Sequence, residues 1–373
     1  LLAGVLVLAG AVAASHRQRL YDAVVLKVLG ATPRLILQAF VYEYGFLGLA
    51  AAMLAAGLGT GAAWAVIVRI IPMAFVALFA LSLDLILGYT GIVSLGHAAF
   101  FGIGAYTVAI LLKAGISFWI GLPAAALLCF AVGLLLGFPA LRVQTIYLAF
   151  ATLGFNTALW LVMRNEEWLT GGTFGINDIA RPGLLGFSLD GNLAYYYLVL
   201  AFAVLLGALL WGLLRSPWGK AFTALRDNPI RAESLGVDIR SYTLMSFAIG
   251  AVYAGIAGGL YASQVQFIDP ATFTVGSSIM MYLMVVVGGP GYFFGPLLGS
   301  AVGVILPEWL RFAQAWYLFV FGAAVVLLMI WLPDGLLSVP ERLKARRQSR
   351  EESAARAAKA ASAASTQPNG GQA

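Results

Sequence analysis

Long apolar blocks, separated by short breaks rich in glycine, proline and charge, run through most of the chain. Windows such as Phe75–Leu87, Leu122–Phe138, Leu198–Leu214 and Trp316–Leu332 carry almost no charge. With their flanks they reach the roughly 20 residues that a bilayer-spanning helix needs. No period-2 alternation of the kind that marks a membrane β-barrel runs through them. The pattern predicts an all-α polytopic membrane protein of about ten to eleven transmembrane or half-membrane helices. Crossings are expected at 38–68, 70–88, 92–112, 118–138, 146–163, 193–214 and 242–263, with shorter ones near 275–288, 294–307 and 315–332.

One block is interrupted in a way that an anchor would not need. Residues 88–106 hold Gly88, Gly91, Gly96, Gly102 and Gly104 together with Ser94 and His97. Glycine inside a helix costs roughly 0.5–1 kcal/mol relative to alanine. Irregular backbone in lipid survives only where protein or a watery cavity satisfies its polar groups. The run therefore reads as a broken or tightly packed segment beside a solute path.

Composition agrees with this picture. The chain is 61% hydrophobic and 10% charged, with mean hydropathy +0.92, whereas soluble domains carry about 25% charged residues. The net charge of +6 sits in short loops and a tail, as the positive-inside rule would place it, which argues against nucleic acid as a partner. Ser15–Leu37 and Arg215–Arg240 are basic and assigned to the cytoplasm, as is Arg142. Asn165–Asn192 carries Glu166, Glu167, Asp178 and Asp190 against Arg181 and is assigned outside. The single cysteine, Cys129, excludes disulfides within the chain and cysteine-rich metal sites. The two histidines, His16 and His97, fall in different compartments, so no metal site is expected. The chain opens Leu-Leu-Ala-Gly without methionine, as a fragment or trimmed product would, and no signal peptide is assigned.

Within the large cytoplasmic loop, Asn228-Pro229 precedes a short predicted helix, Ile230–Leu235, that starts on proline and stops at Gly236. Its pattern suggests exposed Arg231 and Glu233 over buried Ile230 and Leu235. Such a helix suits docking in a partner's groove, or serves as a plain amphipathic connector. Other polar residues in apolar surroundings have two readings each. Asp84 either pairs within the bundle or lies at the inner interface, since a mid-bilayer carboxylate costs about 2.5–3.5 kcal/mol on insertion scales. Gly91, Ser94, His97 and Asn156 are translocation-path candidates; His97 could instead hydrogen-bond to helix backbone. Asn156, Gln264 and Gln266 could equally join helices to one another. Gly255 with Gly259, and Gly295 with Gly299, each share a helical face and read as close-packing glycines.

The motifs resemble a known family. Asn228, Pro229, Ala232, Glu233 and Gly236 look like the EAA coupling loop of permeases in ATP-binding-cassette (ABC) importers. Gly88-Tyr-Thr-Gly and Ser94-Leu-Gly-His-Ala-Ala-Phe-Phe-Gly-Ile-Gly-Ala-Tyr resemble LivM-type permeases for branched-chain amino acids. So do Thr152-Leu-Gly, Thr170-Gly-Gly-Thr-Phe-Gly-Ile, Gly288-Gly-Pro-Gly, Gly295-Pro-Leu-Leu-Gly and Leu332-Pro-Asp-Gly-Leu, in the same order across 70–340. The resemblance implies a type II ABC importer-like permease bundle in a bacterial inner membrane, importing branched-chain or related small amino acids and amides. It implies a homologous LivH-like second permease, two cytoplasmic ATPase subunits and a periplasmic solute-binding protein as partners, with lipid around them. It places Asn228, Pro229, Arg231, Ala232, Glu233 and Gly236 in the ATPase-coupling loop. The Thr170–Ile176 loop would sit at the outer rim, as a docking edge or a simple turn cluster. No P-loop occurs, so the chain is expected to be no enzyme, to bind no cofactor, and to leave ATP and magnesium to its partners.

Residues 1–69 follow another pattern. Their basic segment and Lys27-Val-Leu-Gly-Ala core resemble the end of FtsX-type permeases. The join near Arg69–Pro72 has no linker, as a gene fusion or a misassembled reading frame would leave it. Residues 341–373 form a basic cytoplasmic tail of low apolar periodicity, expected to be disordered or transiently helical at an anionic membrane surface. Two rival functions remain at this level: an FtsX-like mechanotransmitter or lipoprotein exporter, which would need a large periplasmic domain, and an ion-coupled secondary transporter, which would need embedded coupling carboxylates.

Overall fold

The computed structural model describes residues 73–140, 145–184, 187–188 and 191–309, with 322–323, 326 and 335–336. The FtsX-like segment 1–69, the crossing at 38–68, most of that at 315–332, Arg142 and the basic tail lie outside the described residues. The described chain is helical. α1 runs Met73–Tyr89, α2 His97–Lys113, α3 Phe118–Ala140 and α4 Thr145–Asn165. The loop between α4 and α6 holds the single turn α5, Glu167–Thr170, and a two-residue ladder of β1, Gly183–Leu184, with β2, Phe187–Ser188. α6 is Asn192–Arg215, α7 Pro217–Asp227, α8 Pro229–Ser234 and α9 Ile239–Val265. α10 is Val275–Gly288 and α11 Gly295–Trp309.

Among the described residues, three helices are long and apolar enough to cross a membrane by length and composition: Phe118–Phe138, Ala194–Arg215 and Ile239–Val265. A 27-residue helix such as α9 rises about 40 Å, more than a bilayer's hydrocarbon core of about 30 Å. α10, at 14 residues, reaches only about 21 Å, the length of a half-crossing.

Burial sorts these helices into layers. Within its apolar window α9 is 72% buried, while α3 is 33% and α6 22% buried. The cause is side-chain size. α9 presents Ala251, Ala254, Gly255, Ala257, Gly258 and Ala262, whereas α6 is rich in leucine and leaves Leu205 and Leu209 exposed. Lipid tails are as apolar as leucine, so helices in a bilayer gain little from hiding leucine from lipid. They associate where small residues let backbones approach. A Cβ at Gly104 of α2 would collide with the carbonyl of Gly255, and one at Gly258 with the carbonyl of Phe101. α2 and α9 therefore meet backbone to backbone. A Cβ on Gly255 would strike the Cys129 thiol of α3, and one on Gly259 would press on Val108 and Leu122. The pair α10–α11 repeats the device, with Gly295 against the Gly288–Gly289 backbone and Gly299 against the Met284 carbonyl.

Both ends of α9 are fixed. At its end, Gln266 adopts φ 61°. The α4–α6 loop returns over that end: Ile176 and Ile268 exchange backbone hydrogen bonds, and Ile179 N donates to the Gln266 carbonyl at 3.1 Å. At its start, the Asp238 carboxylate caps the helix, accepting from Arg240 N at 3.1 Å and Ser241 Oγ at 2.5 Å. Those bonds, the Ser241 hydroxyl first, hold the Asp238 carboxyl below its ordinary value.

Candidate functional site

The break near residue 90 begins as a change of winding. Leu85–Tyr89 is π-helical, and the helix ends at Gly91 with φ 73°, a conformation that suits glycine. Gly91 N donates to the Leu87 carbonyl at 3.2 Å and Ile92 N to the Ile86 carbonyl at 3.0 Å. Thr90 Oγ1 also donates to the Ile86 carbonyl, at 2.6 Å. The extended stretch that follows is satisfied from far along the chain. Leu95 N donates to Thr152 Oγ1 of α4 at 3.1 Å, and Ala98 N, at the start of α2, to Ser278 Oγ of α10 at 2.9 Å. Gly96 lies so near the Thr152 carbonyl that a Cβ there would collide with it. The segment is thus both broken and tightly packed, with protein groups taking the place of water around its backbone.

Ser94, His97 and Asn156 are all buried, while Gly91 is exposed. His97 bonds to a side chain, where helix backbone is the alternative partner expected from sequence. Its Nε2 lies 2.9 Å from Ser82 Oγ. Ser82 already donates its hydroxyl proton to the Phe79 carbonyl at 2.5 Å, so the imidazole is assigned as the Nε2–H donor. The ring stacks on Phe79 with centroids 5.8 Å apart. Asn156 Nδ2 reaches the Phe273 carbonyl at 3.5 Å. Among the described residues, Ser94 Oγ, His97 Nδ1 and Asn156 Oδ1 have no hydrogen-bond partner. Gln266 Nε2 reaches the Ile179 carbonyl at 3.5 Å, and the Gln264 carbonyl accepts from Arg181 Nη2 at 3.4 Å. Both glutamines thus meet the α4–α6 loop. Asp84 is 1% exposed, and its Oδ1 accepts from Gly291 N in the α10–α11 turn at 2.9 Å.

At the opposite end of α9 from the α4–α6 loop, the chain between α6 and α9 forms an arm. Ser216 caps α7, accepting from Trp218 N at 3.2 Å, with Pro217 in the first turn. Ala221, Phe222 and Leu225 are buried and anchor α7, and Phe222 and Trp218 both meet Tyr242 of α9. Asn228 ends α7 and caps α8, its Oδ1 accepting from Arg231 N at 3.0 Å. Pro229 stands in the first turn, and Gly236 follows with φ 86°. Ala232 is buried, and Arg231 and Glu233 are exposed. Ile230 and Leu235 depart from the expectation of burial: they are 80% and 84% exposed. A six-residue helix has room for one inward position, and Ala232 takes it, so the larger apolar residues point away from the chain.

Sequence reasoning did not find Ser82, Thr152 or Ser278 as partners of the break, nor Arg226 as a neighbour of Gly88. Arg226 Nη1 donates to the Gly88 carbonyl at 2.8 Å. These pairs lie 15 to 180 residues apart in the chain, at no helical or strand period, and leave no periodic trace. Only the placement of an arginine next to Asn228-Pro229, and of a carboxylate four residues before Gly88, could have hinted at them.

Comparison with known proteins gives this geometry a context. The family model described as branched-chain amino acid transport system / permease component matches residues 66–329. The high-affinity branched-chain amino acid transport system permease protein LivM of Escherichia coli is 36% identical over 281 residues, 69% of this chain and 66% of that protein. LivM of Salmonella typhimurium has the same identity and coverage. The autoinducer 2 import system permease protein LsrC of Yersinia pseudotuberculosis is 31% identical over 278 residues, 68% of this chain and 72% of that protein. The matched region spans just under two thirds of the LivM relatives' length. No solved structure matches the chain. With most of its length matched and its apolar helices arranged around α9, the chain is a multi-pass membrane protein that belongs to the family of branched-chain amino acid transport system permease components.

Proposed function

We propose that this chain is the membrane subunit of an ATP-driven importer for branched-chain amino acids or related small amino acids and amides, in a bacterial inner membrane. It pairs with a homologous second permease, and a periplasmic solute-binding protein delivers the solute. Two cytoplasmic ATPase subunits hydrolyse ATP, so the chain itself is no enzyme. The observation that carries this reading is α8: a short, doubly capped helix whose Ile230 and Leu235 stand exposed beside Arg231 and Glu233. An apolar pair flanked by charge fits a hydrophobic groove with a polar rim. Membership of the permease family supports an ATPase as the owner of that groove. Closure of the ATPase dimer would push α8 and, through α7 and α9, switch the bundle between inward-open and outward-open states. Asn228, Pro229 and Gly236 keep the helix short and stiff, Ala232 seats it on the arm, and Arg231 and Glu233 set its register on the ATPase.

Neither rival gains the same support, because the family match covers 66–329 and is to a transport permease component. The match begins at residue 66, which supports treating 1–69 as dispensable. Replacing that segment with a LivM-like first span leaves uptake unchanged on this reading; abolished uptake would contradict it.

The direct test is reconstitution. ATP-dependent uptake of leucine, isoleucine, valine and a small amide is measured in proteoliposomes holding this chain, its second permease, candidate ATPases and the binding protein. Glu233→Lys or Gly236→Arg should leave ATP hydrolysis running while uptake fails. Wild-type uptake in both variants would remove the coupling assignment.

A further inference from the structure

One contact joins the arm to the bundle at the point where α1 breaks. The last carbonyls of a helix have no intrahelical partner and attract cationic donors. Here the π-turn sends Ile92 N to the Ile86 carbonyl, and Arg226 of α7 supplies a donor to the Gly88 carbonyl, Nη1 to O 2.8 Å. The aliphatic stem of Arg226 lies over Gly91, where an added Cβ would come within 3.1 Å of Cγ. On the other side of Gly88, Asp84 Oδ1 holds Gly291 N at 2.9 Å. A Cβ on Gly88 would collide with both Asp84 Oδ1 and Gly291 N, and one on Gly291 would stand 2.5 Å from Arg226 Nη1. Three pieces of chain that are remote in sequence, α1, α7 and the α10–α11 turn, thus meet with no room for a side chain between them.

We infer that Arg226 is the positioning residue through which displacement of α8 reaches the broken end of α1 and, through Asp84, the α10–α11 turn. Asn228 closes α7, its N donating to the Ala224 carbonyl at 3.0 Å, and it also caps α8, so no flexible linker separates Arg226 from the docking helix. A push on α8 moves the guanidinium, and the guanidinium carries the Gly88 carbonyl with it. The neighbouring Asp227 carboxylate accepts from Arg226 Nε at 3.0 Å, so the guanidinium is held both by its own arm and by the Gly88 carbonyl. The inference rests on the docking role proposed for α8 but adds to it: α8 sets whether the ATPase binds, and Arg226 sets whether binding does transport work.

The test separates those roles. Arg226→Met keeps the stem over Gly91 and removes every donor, and Gly88→Ala wedges the same junction without touching the guanidinium. Both are measured in the assembled complex for ATPase co-purification, ATP hydrolysis and leucine uptake. Lys220→Ala, on the exposed side of α7, serves as the control. The inference predicts normal co-purification and hydrolysis, with uptake per ATP falling about tenfold, within the range usual for energetic coupling between sites. Arg226→Lys should recover part of that loss. A wild-type ratio in either assembled variant would overturn it. Failure of both variants to assemble would also overturn it, by assigning the junction to folding alone. Failure of the docking role would show differently, as unchanged co-purification when Ile230 and Leu235 are made polar.

Discussion

The seam between α2 and α9 and the arm ending in α8 handle apolar residues in opposite ways. In the seam, Gly104, Gly255 and Gly258 bring two backbones together, and α9 hides most of its surface inside the chain. In the arm, the only buried residue of α8 is Ala232, while Ile230 and the following Leu235 stand exposed. The seam is complete within one chain. On the proposed reading the arm is completed by a partner, and the contrast then separates residues that make the fold from residues that make the assembly.

The largest effect should follow from breaking the seam. Gly104→Leu or Gly258→Leu drives a side chain into a carbonyl that cannot retreat, at a cost of about 3 kcal/mol, the upper end of overpacking penalties. Both variants should lose their melting transition in detergent or fail to accumulate in the membrane. Next in size, Ile230→Asp combined with Leu235→Asp should lower ATPase co-purification by at least about tenfold, in keeping with the loss of apolar anchors from an interface. Its melting temperature in the isolated chain should be unchanged, since neither residue is buried. A shifted melting temperature with intact co-purification would invert the comparison.

Smaller effects sharpen it. The folded Asp238 carboxyl is held below its unfolded value, chiefly by Ser241, so its cap stabilises the protein above the unfolded value of about 3.9. That contribution is lost as pH falls through the lower folded value. Melting curves of the wild type and Asp238→Asn should therefore converge below about pH 4 and separate above it. Least of all, Gly212→Ala at an exposed position of α6 meets open space and should be neutral or stabilising by about 0.5 kcal/mol, the propensity difference between the two residues. Loss of stability at Gly212 comparable to that at Gly258 would show that glycine position does not matter, against the seam argument.

Much of this was legible in residue order. Runs of apolar residues located α3, α6 and α9 to within a few positions, because a bilayer imposes a length that local composition must meet. Asn228-Pro229 and Gly236 bracketed α8, because caps and proline act over a few residues. Exposure of Ile230 and Leu235 was not legible, since amphipathic spacing says that a face is apolar but not whether its cover lies in the same chain. The partners of the break were hidden for a related reason. Thr152, Ser278 and Arg226 reach residues 88–98 only after the helices have packed, and nothing in their local sequence names that segment as their partner. His97 shows the same limit: the burial of a lone histidine could be anticipated, but its Ser82 partner could not.

The most direct measurement is ATP-dependent leucine uptake by the reconstituted five-subunit complex, run in parallel with wild-type chain and with Ile230→Asp, Leu235→Asp. The account predicts uptake that needs ATP and both ATPase subunits, and that disappears in the double variant while the variant chain still folds. Uptake that persists in the double variant, or that proceeds without ATP, would contradict it.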